Sequence, residues 1–247
     1  MARRDRNDHG EAHPMAEPDR KAHLEGVRVT RRSDEVSWNR LRYTLYAPVY
    51  DLAVARLPLF RRGRRRSLAL AALRPGERAL LVAAGTGLDL ELLPDGVEVI
   101  ATDLTPAMVA RLALRADALR RAGRDLRVRA EVMDAGRLGL PDASVDCVVL
   151  HLALAVVPDP VAAIREAARV LRPGGRVAVF DKFLPDGARP TLVRRVAAAV
   201  ARVVATDLNR QLGPLLAAAG LREVAREPVG LGGAFVAARA DREPLSR

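Results

Sequence analysis

Apolar positions follow two rhythms along the chain. From Val36 to Leu73 they fall three and four residues apart, with Trp38, Leu41, Leu45, Val49, Leu52 and Ala53 on one stripe, which predicts helices broken at Pro48 and Pro58. A basic helix is expected from Arg62 to Leu73, stopped by Arg74-Pro75-Gly76. Beyond it, short apolar runs alternate with helical stretches. Strands are expected at Arg78–Ala83, Val97–Thr102, Leu126–Met133, Ser144–Leu150 and Arg176–Phe180. Between them lie helices through Leu93, from Pro106 to Ala122, and from Asp159-Pro160 to Leu171. Thr105 suits the cap and Pro106 the first position of the second of these. Helices at Pro190–Ala205 and Gln211–Ala219 follow, then two runs, Leu221–Glu227 and Ala234–Ala240, that read as a hairpin at a sheet edge. Such alternation predicts an α/β fold with a mostly parallel sheet covered on both faces.

Three segments emerge: a disordered extension over 1–33, a helical lid or substrate segment over 34–74, and an α/β domain over 75–247. The formal charge of +11 is spread unevenly. Residues 1–66 hold 16 basic and 9 acidic side chains, residues 67–185 hold 15 of each, and residues 186–247 hold 10 and 6. Only Lys21 and Lys182 are lysines, so much of the arginine content reflects a general coding bias, but the cluster Arg61-Arg62-Gly63-Arg64-Arg65-Arg66 stands apart. No run approaches the ~18 apolar residues of a membrane span. The N-terminus lacks the apolar core of a secretory signal, and the lone Cys147 sits in an apolar strand as a structural thiol. A cytoplasmic protein is expected, with no metal site and no basic, aromatic-rich surface for nucleic acid.

The chemistry concentrates at strand ends, where open parallel sheets collect ligands. Ala83-Ala84-Gly85-Thr86-Gly87 closes the first strand, but Leu90 stands where a dinucleotide fingerprint needs its third glycine, and no phosphate-loop lysine follows. Asp103 ends the next strand, 16 residues past Gly87, where a carboxylate can accept both hydroxyls of a ribose. Asp134, followed by Ala135, ends the third and suits an adenine amino group. Together they describe a pocket for an adenosine-containing ligand without a phosphate clamp, and S-adenosylmethionine fits it.

The series LLVAAGTG, VIATDLTPAMV, MDAGRLGLPDASVDCVVLHLALAVVPDP and EAARVLRPGGRVAVFD, from about Gly76 to Phe183, resembles the class I S-adenosylmethionine-dependent methyltransferases. That resemblance implies a Rossmann-like, mostly parallel seven-stranded sheet with helices on both faces and a C-terminal antiparallel hairpin. It implies S-adenosylmethionine as cofactor, with Ala83, Gly85, Thr86 and Gly87 along its methionine part, Asp103 and Leu104 at the ribose, Asp134 and Ala135 at the adenine, and His151 nearby. Two positions depart from the family pattern. Leu81 stands where an acid usually fixes the loop and the methionine amino group, and Ala83 replaces the first loop glycine. The segment from Trp38 to Leu73, with Tyr46-Ala47-Pro48-Val49-Tyr50-Asp51, resembles the soluble bacterial phosphatidylethanolamine N-methyltransferases and, more loosely, the quinone C-methyltransferases.

Methyl transfer to nitrogen needs aligned, desolvated reactants and an amine without its proton. His151, after the fourth strand, is the expected catalytic base or else a loop-supporting histidine, with Tyr50 as a second catalytic candidate. Tyr43 and Tyr46 are expected at the substrate, and Lys182 either there or in an ion pair with Asp181. Leu57-Pro58-Leu59-Phe60 with Arg61–Arg66 would rest on an anionic membrane surface, apolar side inserted, making the protein peripheral on the inner membrane face. The acceptor is then a phospholipid head group. The alternatives are a soluble small molecule or quinone as acceptor, or a non-catalytic protein that only binds the cofactor.

Overall fold

In a computed structural model, residues 57–190, 207–230, 233 and 235–244 are described. The N-terminal extension, Tyr43, Tyr46 and Tyr50 of the lid segment, and the helix expected over Pro190–Ala205 (Pro190 apart) lie outside those residues. The elements are α1 (Pro58–Ala71), β1 (Arg78–Leu81), a 3₁₀ helix (Leu88–Leu92), β2 (Val97–Asp103), α2 (Pro106–Arg121), β3 (Leu126–Val132), β4 (Val145–His151), α3 (Pro160–Val170), β5 (Leu171–Lys182), α4 (Leu212–Ala218), β6 (Leu221–Val229) and β7 (Phe235–Arg242).

The seven strands form one sheet in the order β3-β2-β1-β4-β5-β7-β6. β1 to β5 pair in parallel, and β7 lies antiparallel between β5 and β6. The C-terminal pair is thus the expected hairpin, with β6 outermost. Side chains alternate between two helical layers. Leu80, Val82, Ile100, Val148, Leu150, Val177 and Val179 pack with Ile164 and Ala167 of α3 and Leu212 and Leu216 of α4. Ala79, Leu81, Val99, Ala101, Cys147, Val149 and Ala178 pack with Leu68 and Ala71 of α1 and Leu112 of α2. Burial on both faces explains why these strands read as nearly unbroken apolar runs. It also pushes the Cys147 thiol up to about 12, which leaves it inert as a nucleophile.

Chain order turns back between β1 and β4, since β2 and β3 extend the sheet on one side and β4 and β5 on the other. A crevice at their carboxyl ends is the ligand position of such sheets.

Several local expectations change. The helix through Leu93 is only a five-residue 3₁₀ helix. It starts after Gly87, which is left-handed (φ 81°), and Leu93 returns to extended backbone (φ −73°, ψ 148°) because the residue before Pro94 is barred from helix. α1 begins at Pro58, four residues early, since a proline at the first position lacks only an N–H that needs no partner there. Thr105 holds the cap position of α2 but makes no side-chain cap, whereas Asp159 caps α3 by accepting from Ala162 N at 2.9 Å.

The apolar side of the expected membrane helix is turned inward. Leu59 and Phe60 pack on Phe180, Val229, Ala237 and Phe235, with Phe60 edge-on to Phe235 at 5.5 Å between centroids. Gly63 lets α1 approach the Phe180 ring, which a Cβ there would meet at 2.0 Å. Arg64 is buried as well. The expectation of an inserted Leu59-Phe60 under a uniform arginine face is therefore corrected: these two side chains are half-buried against the core, Arg64 is buried, and Arg61, Arg62, Arg65 and Arg66 remain outside.

Candidate active site

The loop after β1 and the end of β4 meet in a cleft that is partly open to solvent. Ala83, Ala84, Gly85 and Thr86 form one wall, with Asp103, Leu104, Asp134 and Ala135 at one end and His151, Leu152 and Val156–Pro158 at the other.

The two loop glycines have different reasons to be there. Gly85 is left-handed (φ 56°), and a Cβ on it would meet nothing within 4 Å, so its backbone faces open space. Gly87 is also left-handed, but a Cβ there would press on Leu112 Cγ at 3.0 Å and Leu90 Cδ1 at 3.2 Å. It belongs to packing under α2 and does not line the cleft, unlike the other expected cofactor residues. Ala83 takes the left-handed conformation without glycine's freedom (φ 51°), as does Leu152 at the end of β4 (φ 55°). Each such residue costs about 1–2 kcal/mol. The substitution at Ala83 thus acts through backbone strain more than through the bulk of its methyl.

Asp103 ties the loops together. Its Oδ2 accepts from Gly85 N and its Oδ1 from Thr105 N, both at 2.9 Å. Burial pushes its carboxyl up, against the lowering effect of the Thr105, Gly85 and Leu104 hydrogen bonds. An ionised carboxylate has about four acceptor sites, which these donors and ribose hydroxyls would share. Asp134 is exposed, with Oδ1 accepting from Gly136 N at 2.8 Å. Leu104, Met108 and Met133 give that end apolar surface for a flat base.

His151 reaches the cleft with both ring nitrogens committed within the protein. Nδ1 lies 2.8 Å from Asp89 Oδ1 and Nε2 lies 3.0 Å from Ser67 Oγ. Asp89 Oδ2 accepts from Arg64 at 2.5 Å, and all four side chains are buried. Burial alone would raise the Asp89 carboxyl, but the Arg64 charge and His151 outweigh it and hold it well below the usual carboxylate range. Ser67 and Arg64 belong to α1, Asp89 to the 3₁₀ helix and His151 to β4, so one polar array fastens α1 to the cofactor loop. Neither Ser67 nor Asp89 was expected, because their partners lie 84 and 25 residues away. Gly63, interrupting the arginine run, is the sequence signal that α1 buries this side.

Lys182 is half-buried and does not line the cleft. Burial pushes its ammonium down, opposed by Asp181. The Asp181 carboxylate accepts from the backbone amides of Ala155 and Lys182, bracing the loop at the far end of the cleft.

A methyltransferase-domain family model matches residues 80–179. The chain is 38% identical over 148 residues to a demethylmenaquinone methyltransferase of Beutenbergia cavernae, covering 60% of this chain but only 56% of that protein. It is 30% identical over 167 residues to a phosphatidylethanolamine N-methyltransferase of Cereibacter sphaeroides, covering 68% of this chain and 81% of that one. The chain belongs to the S-adenosylmethionine-dependent methyltransferases. Solved structures share the fold: the [4+2]-cyclase SpnF at a TM-score of 0.67 (18% identity, 83% and 96% coverage), and an S-adenosylmethionine-dependent methyltransferase of Aquifex aeolicus at 0.52 (20%, 72% and 88%). This methyltransferase cleft fits the family's cofactor, S-adenosylmethionine. The open backbone at Gly85 suits its methionine part, and the two acids at neighbouring strand ends with the apolar surface beside Asp134 suit its nucleoside. Asp103→Ala should weaken S-adenosylhomocysteine binding by about 1–3 kcal/mol, the worth of charge-assisted hydrogen bonds, as read by calorimetry. Unchanged affinity would remove Asp103 from the ribose.

Proposed function

We propose that this methyltransferase N-methylates a phospholipid head group such as phosphatidylethanolamine at an anionic membrane surface. The observation that carries this reading is the two-sidedness of α1. Its inner face supplies Arg64 to the cofactor cleft and Ser67 to His151 behind it, and its outer face presents Arg61, Arg62 and Arg65, which form no ion pair among the described residues. Arg66 pairs with Glu227 beside them. A helix built this way sets the cleft next to whatever anionic surface binds the arginines. The relative covered over 81% of its length is named for the same acceptor.

S-adenosylmethionine would supply, when bound, an electrophilic sulfonium methyl for in-line transfer to a deprotonated amine, with S-adenosylhomocysteine as the leaving group. The residues of this chain align and dry the reactants. Asp103 and Asp134 hold the nucleoside, and Leu152 with Val156–Pro158 gives the reacting end an apolar wall. His151, held between Asp89 and Ser67, supports that wall as a positioning residue. A base role would require Nε2 to leave Ser67. Tyr43, Tyr46, Tyr50 and Lys182 remain proposed substrate or catalytic contacts.

A quinone acceptor is the second reading. It is favoured by the higher identity to the demethylmenaquinone relatives, of which the chain spans between little more than half and about two thirds.

Arginines near an anionic surface contribute about 1 kcal/mol each, less as salt rises. Changing Arg61, Arg62 and Arg65 together to Gln should abolish sedimentation with vesicles containing phosphatidylglycerol and leave S-adenosylhomocysteine binding intact. Arg64 is excluded from this set because it lines the cleft. Equal sedimentation of the variant and the unaltered protein, or equal sedimentation with neutral and anionic vesicles, would contradict surface docking.

A further inference from the structure

Beside the reacting end of the cleft lies an aromatic floor with one cation on it. Leu152 lines the cleft, donates from its amide to Phe180 O at 2.7 Å, and packs with Phe60 and Phe235 on the cluster that holds the Phe180 ring. Lys182 ends β5 two residues past Phe180 and pairs in register with Phe235. The alternation of a strand therefore sends its side chain off the sheet on the same, α1-facing side as these rings. It is the one lysine among the described residues.

That ammonium has no counter-charge of its own. Asp181, its neighbour in sequence, faces the opposite layer with Val179, where its carboxylate accepts from Ala155 N at 2.9 Å and Lys182 N at 2.8 Å. Among the described residues the Lys182 side chain makes neither an ion pair nor a hydrogen bond. It is half-buried, and burial pushes its ammonium down. A cation held partly out of water without a partner is costly, and an anion arriving beside it relieves that cost.

We propose that Lys182 receives the phosphate of the methyl acceptor and thereby selects amines that carry a phosphate ester two carbons away. This rests on the phosphatidylethanolamine reading of the function. β4 and β5 are paired neighbours, ~4.8 Å apart, which is about the reach of the two-carbon bridge between such an amine and its phosphate. An amine beside Leu152 can thus set its phosphate over β5. A compact ammonium with three rotatable donors suits a phosphate that can arrive in several orientations. The same chemistry occurs on a lipid head group and on free phosphoethanolamine.

The test measures methyl transfer from S-adenosylmethionine to three amines. They are phosphatidylethanolamine in phosphatidylglycerol vesicles, the aminoethyl ether of diacylglycerol (phosphate absent) in the same vesicles, and free phosphoethanolamine. The unaltered protein should favour phosphatidylethanolamine over the ether by about 10- to 100-fold in kcat/KM, the range of a charged hydrogen-bond pair. In Lys182→Met that preference should fall to within about threefold, chiefly through KM, and in Lys182→Arg most of it should return. S-adenosylhomocysteine affinity equal to that of the parent shows that each variant is folded. Should Lys182→Met fail to fold, Lys182→Gln removes the same charge and keeps a polar end. Turnover of free phosphoethanolamine with the same dependence on Lys182 would assign the phosphate to a soluble ester, and turnover of the vesicle lipid alone would assign it to the head group; both support the assignment. No preference in the unaltered protein, or one that survives the loss of the charge, would overturn it and leave the phospholipid reading standing. Methylation of none of the three amines by the unaltered protein would instead sink the phospholipid reading, and the assignment with it.

Discussion

Gly63→Ala is expected to lower the unfolding free energy by about 3 kcal/mol, at the upper end of overpacking costs. Elsewhere in a helix the same change gains up to about 1 kcal/mol in propensity, so the sign is diagnostic. The new Cβ would lie 2.0 Å from Phe180 Cε2 and 2.1 Å from Cζ. The ring cannot swing away. It is fully buried, stacked on Phe235 at 5.8 Å, and met edge-on by Phe60 at 6.5 Å and His151 at 6.1 Å. α1 must therefore retreat, drawing Ser67 and Arg64 away from His151 and Asp89. Urea unfolding should show a lower midpoint with an unchanged slope, and cofactor binding should weaken with it. Phe180→Leu added to Gly63→Ala should restore part of the loss, because the two positions share one contact. A variant as stable as the parent would mean that α1 does not pack as described.

Asp89→Asn is expected to cost about 3–5 kcal/mol, the usual consequence of leaving one member of a buried ion pair without its partner. The amide can still bond His151, but Arg64 loses its counter-charge. The pH dependence follows from the direction of the Asp89 shift. Its carboxyl is held below the ordinary value in the folded protein, so its stabilising contribution is fully present above the unfolded value of about 3.9 and is lost as pH falls below it. Glu77 and Glu166 are likewise held low, Glu77 by Arg176 and Arg74 against its burial and Glu166 chiefly by Arg169, so the parent should lose stability in acid through several groups. The difference between parent and Asp89→Asn isolates one of them. That difference should shrink as pH drops from about 5 toward the acid limit. Parallel stability curves for the two proteins would exclude an ionised Asp89 beside Arg64.

The strands and the nucleoside end of the site were legible because their signals are local. Apolar runs closed by Asp103 and Asp134 need no knowledge of the rest of the chain, and both acids line the cleft. The reacting end was not legible, because its geometry depends on pairs far apart in sequence. Arg64 read as one more surface charge among five, yet the helix turns it toward Asp89 while its neighbours face solvent. Leu59 and Phe60 read as a membrane-facing pair because an apolar stripe beside arginines does not say which side holds the core. The rings of Phe180 and Phe235, more than a hundred residues on, decide it. The helix expected through Leu93 shrank to a 3₁₀ helix because Pro94 controls the residue before it more strongly than apolar spacing does.

The most direct test follows the methyl group. The protein is incubated with S-adenosylmethionine carrying an isotope-labelled methyl and with vesicles of phosphatidylethanolamine and phosphatidylglycerol, with menaquinone precursors added in a parallel sample, and the lipid extracts are read by mass spectrometry. The expected result is label on the ethanolamine nitrogen, released with an equal amount of S-adenosylhomocysteine, and its loss when Arg61, Arg62 and Arg65 are changed together to Gln. Label on the quinone ring alone, or turnover on phosphatidylethanolamine that is indifferent to those arginines, would contradict the account.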